Sequence, residues 1–129
     1  MSPGFGPLEW AGFMAADEVI TPLLPDSFAA DGLHVFTGNL QQFREDKETL
    51  RPFYNKVVIN AIDQRIPQHE QILLEMKSSN KSLHVFNLPV DPAFRKSQAA
   101  GLAIQELSGT KIETKAEISR LAKTIIKEA

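Results

Sequence analysis

The 129 residues carry 14 Lys+Arg and 16 Asp+Glu, a net charge of −2, and 43% of them are apolar. That suits one domain with a real core. Cysteine is absent, which excludes disulfides, thiol nucleophiles and Cys-ligated zinc.

In chain order, the Pro- and Gly-rich segment 2–7 reads as a loop, followed by a short helix over Leu8–Ala16. Glu18–Leu23 reads as a strand closed by Pro22 and Pro25. Asp26 or Ser27 can cap the next helix, whose Leu33, Phe36, Leu40 and Phe43 share one face. Tyr54–Ile62, with its β-branched run Val57-Val58-Ile59, is the best strand and suits burial on both faces. Pro67 opens a helix running to Met76 or Lys77. Ser82–Leu88 forms the next strand. Asp91-Pro92 then starts a short helix ending near Gly101. In the last helix, Thr114 and Glu117 have capping-box spacing, and Ile118, Leu121, Ala122, Ile125 and Ile126 fall on one face. Strands alternating with helices predict an α/β domain over residues 1–129, with a mostly parallel sheet flanked by helices.

No apolar run approaches the ~20 residues of a membrane span, and no basic-then-apolar start marks a secretory leader. The expectation is a cytoplasmic protein with no membrane partner. Charge is uneven. Residues 1–94 hold 7 basic and 12 acidic side chains, and residues 95–129 hold 7 and 4. A basic C-terminal part can touch phosphates or can be a solvated helix face.

Several pieces, taken in order, resemble the ParA/MinD/Soj family of partition ATPases. They are Ser2-Pro3-Gly4-Phe5-Gly6-Pro7, Ala15-Ala16-Asp17-Glu18-Val19-Ile20-Thr21-Pro22, and Asp31-Gly32-Leu33. Val57 to Asp63 looks like a strand ending in Asn-x-x-Asp. Leu88-Pro89, the stretch Arg95–Gly101 and the closing Leu121-Ala122 helix follow at matching spacing. Each piece alone is common, and the ordered set carries the resemblance. It implies the C-terminal part of a three-layer P-loop NTPase fold of the deviant-Walker type. It also implies DNA segregation as the role, ATP and Mg2+ as cofactors of the intact family, and a ParB-like protein as partner.

The family's Lys-Gly-Gly-x-x-Lys-Thr type loop has no counterpart in these residues, and its Asp-x-x-Pro aspartate aligns one position before Met1. A triphosphate needs backbone N–H groups and a lysine around it, so this stretch alone is expected not to hydrolyse ATP or to hold the cofactors. No catalytic and no metal-binding residue is assigned. The resemblance places the γ-phosphate switch loop at Ser2, Pro3 and Gly4. It places base contacts at Asn60, Pro89, Val90 and Asp91. Asn60 can equally end a strand in a turn, and Asp91 can equally cap a helix. Arg95, Lys96, Arg120, Lys123 and Lys127 are candidates for nonspecific DNA phosphate contacts, with ordinary surface charge as the alternative. His34, His69 and His84 lack metal-ligand spacing, and alternation suggests that His84 is buried. Half of such a sheet would leave an open edge, so the chain is expected to form a homodimer. The alternative function is a stand-alone dimerisation or DNA-binding module, a regulator without enzymatic activity.

Overall fold

The β-branched run Val57–Ile59 lies on the central strand of a three-stranded, fully parallel sheet whose strands stand side by side in chain order. The computed structural model describes residues 6–128. Its helices are α1 (Pro7–Ala15), α2 (Ala29–Asp46), α3 (Pro67–Ser79), α4 (Ala93–Ala100) and α5 (Ile112–Glu128). The strands are β1 (Glu18–Leu23), β2 (Phe53–Ile62) and β3 (His84–Pro89), and a short 3-10 turn covers Ile104–Glu106. Parallel neighbours need crossovers, and α2 and α3 supply them.

Strand β2 carries two register irregularities. Between the pairs Glu18↔Phe53 and Ile20↔Lys56 it advances three residues against two on β1. Between Ile59↔Asn87 and Ile62↔Pro89 it again advances three against two. An extra residue reverses the side-chain alternation. Tyr54 and Val57 therefore share a face, as do Ile59 and Ile62. That face packs with Leu33 of α2, Leu73 and Met76 of α3, and Val85. A second cluster holds α1 against α2 through Phe13, Leu40 and Phe43. Trp10 stacks edge-on to Phe43 there, with ring centroids 5.2 Å apart.

The opposite face belongs to α5. Phe86 alternates with Val85 and lies under the Arg120 guanidinium, 4.1 Å from ring centroid to Cζ. Arg120 donates to the Val85 carbonyl (3.0 Å), and Glu117 accepts from the Asn87 N–H (3.3 Å). Helix α5 thereby satisfies backbone groups along the free edge of β3. On the far side, the Phe53 N–H donates to the Asp17 carbonyl. By alternation, Glu18, Ile20 and Pro22 turn their backbone groups to the open side of β1. Pro22 has no N–H to offer there, which weakens that edge as a template for another strand.

Four local expectations change. Thr114 is not the cap of α5, which starts at Ile112; its side chain is fully buried and bonded elsewhere. The apolar stripe of α5 is only partly covered, and Ile126 is 75% exposed. His84 is exposed and bonds Glu128 in the last turn of α5. Asp26 does not cap α2 directly; it accepts from the N–H of Phe28, which holds the cap position.

Candidate functional site

Because all three strands run the same way, β1, β2 and β3 end together at Leu23, Ile62 and Pro89. Ligands of open α/β sheets bind at this carboxyl end. Pro89 pairs with Ile62, and the Val90 N–H donates to the Ile62 carbonyl at 2.9 Å. Asn60 sits at the second irregularity of β2, with its Oδ1 accepting from the Ala61 N–H at 2.9 Å. Ala61 has φ +59, a left-handed conformation that costs a residue with a Cβ about 1 kcal/mol. Among the described residues the Asn60 amino group has no protein acceptor, and the side chain is exposed. Leu24, Phe28, Ile66 and Val90 extend from the loops at this end and are exposed. The end thus carries apolar side chains beside polar ones, with Asp26, Ser27, Gln64 and Arg65 exposed on the same loops as Leu24, Phe28 and Ile66.

Asp63 follows β2 and forks onto Arg65, its two oxygens meeting Nε and Nη2 at 3.0 and 2.9 Å. Those bonds hold its carboxyl down to about 2. The Asp63 N–H donates to Nδ1 of His69 at 3.0 Å, so neutral His69 carries its proton on Nε2.

From this end a cleft of about 880 Å3 runs between α2 and α3. Asp26, Ser27 and Ile66 stand among its lining residues, with Leu33, Ile72 and Met76 supplying apolar surface. Asn60, Pro89 and Val90 do not line it. Sequence reading missed this cleft. Its only signal was the pair of crossover helices, whose separation on the sheet no periodicity encodes.

Asp91 is committed to the scaffold. Its Oδ1 accepts from the Ala93 N–H at 2.9 Å. Its Oδ2 accepts from the Lys111 N–H at 3.0 Å and from the buried Thr114 hydroxyl at 2.8 Å. One buried carboxylate thus ties the starts of α4 and α5 to the end of β3. Burial pushes its pKa up, but the three bonds and the Lys111 charge outweigh this and hold it below the usual carboxylate value.

A second missed cluster lies where α5 ends. The Lys56 side chain is fully buried, bonded to Glu18, to Asn55 Oδ1 (2.9 Å) and to Glu128 Oε2 (2.6 Å). His84 Nε2 meets Glu128 Oε1 at 3.0 Å. Bonds from Lys56 and Asn55 pull the Glu128 carboxyl to about 2. Burial pushes the Lys56 ammonium down, yet the two glutamates more than offset it, so its pKa is raised.

The basic candidates separate. Arg95 and Lys96 on α4, and Lys123 and Lys127 on α5, are exposed. Arg120 is held by Glu117, the Val85 carbonyl and the Phe86 ring, so its charge serves the α5–β3 contact. Ser2, Pro3 and Gly4 lie outside the described residues.

Arg65 is taken by Asp63, and Lys111 Nζ by the Val90 carbonyl at 2.8 Å. Among the described residues no three His, Asp or Glu side chains gather to hold a metal. None of the described helices is long and apolar enough to cross a membrane. No protein-family model, no curated protein and no solved structure matches the chain.

Proposed function

We propose that this chain is the base-binding and assembly part of a ParA/MinD-type partition ATPase fold, and that these residues alone do not hydrolyse ATP. The observation that carries the reading is the carboxyl end of a parallel sheet that presents an exposed Asn60 carboxamide near the end of β2 and an exposed Val90 after β3. An amide offers both donor and acceptor to a purine edge, and apolar neighbours suit a flat base. The nearby cations are engaged, so phosphates gain little. Asp91 acts in this reading by fixing the loop after β3, and the exposed Val90 side chain supplies an apolar contact. ATP and Mg2+ as cofactors of the intact assembly, a ParB-like partner, a homodimer and a cytoplasmic setting belong to the same proposal.

Calorimetry with adenosine, ADP and Mg–ATP tests it. The expected result is weak binding in the millimolar range, equal for the three ligands within about threefold and abolished by Asn60→Ala. No heat with adenosine at ~10 mM would refute base binding. Magnesium-dependent hydrolysis by this chain, lost in a variant of its own residues, would refute the inactive reading.

A second reading, a nonspecific DNA-binding module, draws on the exposed Arg95, Lys96, Lys123 and Lys127. Two or three phosphate contacts predict a log–log salt slope of about −2 to −3. A flat slope would exclude it.

A further inference from the structure

The cleft between α2 and α3 has an uneven chemistry. Its lining holds two carboxylates, Asp26 and Glu75, two histidines, His34 and His69, and no lysine or arginine. Neither acid has an ion pair among the described residues: Asp26 accepts from the Phe28 N–H, and Glu75 accepts at 3.4 Å from Gln71. Leu33 and Met76 are buried beneath it as part of the main core. The cleft therefore has an apolar floor at Leu33 and Met76 and a polar lining whose two carboxylates are Asp26 and Glu75. At about 880 Å3 it has room for the side chains of a helical turn.

The complementary surface is on the same chain. Helix α5 turns Thr114, Leu121 and Ile125 towards the sheet. Its other side carries Lys123, Ile126 and Lys127 into solvent, and Ile126 is 75% exposed. Spacings of three and four residues place these side chains in one patch. The two lysines have no ion pair among the described residues. One cation–apolar–cation patch thus matches one apolar, doubly acidic cleft in both charge and polarity. The two surfaces lie on opposite faces of the sheet, so neither can serve the other within one chain.

We propose that the α2–α3 cleft receives the outward face of α5 from a second copy of this chain, Ile126 entering over Leu33 and Met76 while Lys123 and Lys127 meet Asp26 and Glu75. The contact is head-to-tail. A head-to-tail contact leaves one cleft and one helix free at the two ends of any open assembly, so copies add until a ring closes or concentration limits growth. The contact does not depend on the partition reading, since it uses neither Asn60 nor the loop after β3.

Sedimentation velocity tests the arrangement on the whole chain, using Ile126→Asp to disable the helix patch and Ala30→Trp to fill the cleft. Both positions are exposed, which leaves the core untouched. Wild type should show a weight-average mass that rises between ~5 and ~500 µM and falls in ~1 M NaCl, as screened ion pairs require. Each variant alone should stay monomeric, with at least tenfold weaker association. Their equimolar mixture should form a heterodimer and stop there, because one supplies an intact helix and the other an intact cleft. A monomeric wild type throughout, association retained by either variant, or a mixture that stays monomeric would each overturn the proposal.

Discussion

Replacing Asp91 by alanine removes three hydrogen bonds at once. The Thr114 hydroxyl is fully buried and loses its acceptor, a penalty of about 1–2 kcal/mol. The Ala93 N–H is buried as well and loses its acceptor at about 1 kcal/mol, while the part-buried Lys111 N–H can take water and costs about 0.5 kcal/mol. The total is about 3 kcal/mol, and for a domain of this size the melting point should fall by about 10 °C. Urea unfolding followed by Trp10 fluorescence and by far-ultraviolet circular dichroism measures it. A double-mutant cycle with Thr114→Val isolates the shared term, expected near 1 kcal/mol because that valine no longer leaves a buried hydroxyl without an acceptor. If Asp91→Ala costs under 1 kcal/mol, or the two changes add without coupling, the clamp reasoning is wrong. The same change should also weaken any ligand at the sheet's carboxyl end, since the loop after β3 loses its anchor.

Glu128 gives a pH prediction. Its carboxyl is lowered from 4.5 to about 2 in the fold, so its contribution is complete above about pH 4.5 and is withdrawn as pH falls through 2. Glu128→Gln should flatten the dependence of the urea midpoint on pH between 5 and 2; an unchanged slope would contradict the Lys56 contact. Ala61→Gly should raise stability by about 0.5–1 kcal/mol, since glycine adopts φ +59 without a Cβ conflict; a lower melting point would show that Ala61 carries no strain. Arg120→Met should cost about 1–2 kcal/mol through the lost Val85 carbonyl bond and the Phe86 ring contact. Its unfolding free energy should differ little between low and high salt from wild type, and a salt-dependent loss would point to a long-range charge role instead.

Much of the fold was legible in order and type. The β-branched centre of β2, the proline that opens α3 and the glycine that closes α4 are local signals. Gly101 takes φ +68 at the α4 terminus, where a left-handed residue is needed. The candidate site was legible only in part. Asn60, Pro89 and Val90 lie at one end because parallel strands end together. Asp91 carried two readings that no spacing could separate, and its partners Lys111 and Thr114 stand 20 and 23 residues away. The capping-box pattern at Thr114 and Glu117 was misleading for the same reason. Both side chains found long-range partners in β3 and its following loop.

The sequence by itself determined the alternation of strands and helices, because hydrophobic period and Pro or Gly punctuation act over a few residues. Only the tertiary structure decided which charges are available. Lys56 is buried between two glutamates, Arg120 is spent on β3, and Lys123 and Lys127 remain in solvent. Charge pairing depends on distances across the sheet, and a linear pattern holds no record of those distances.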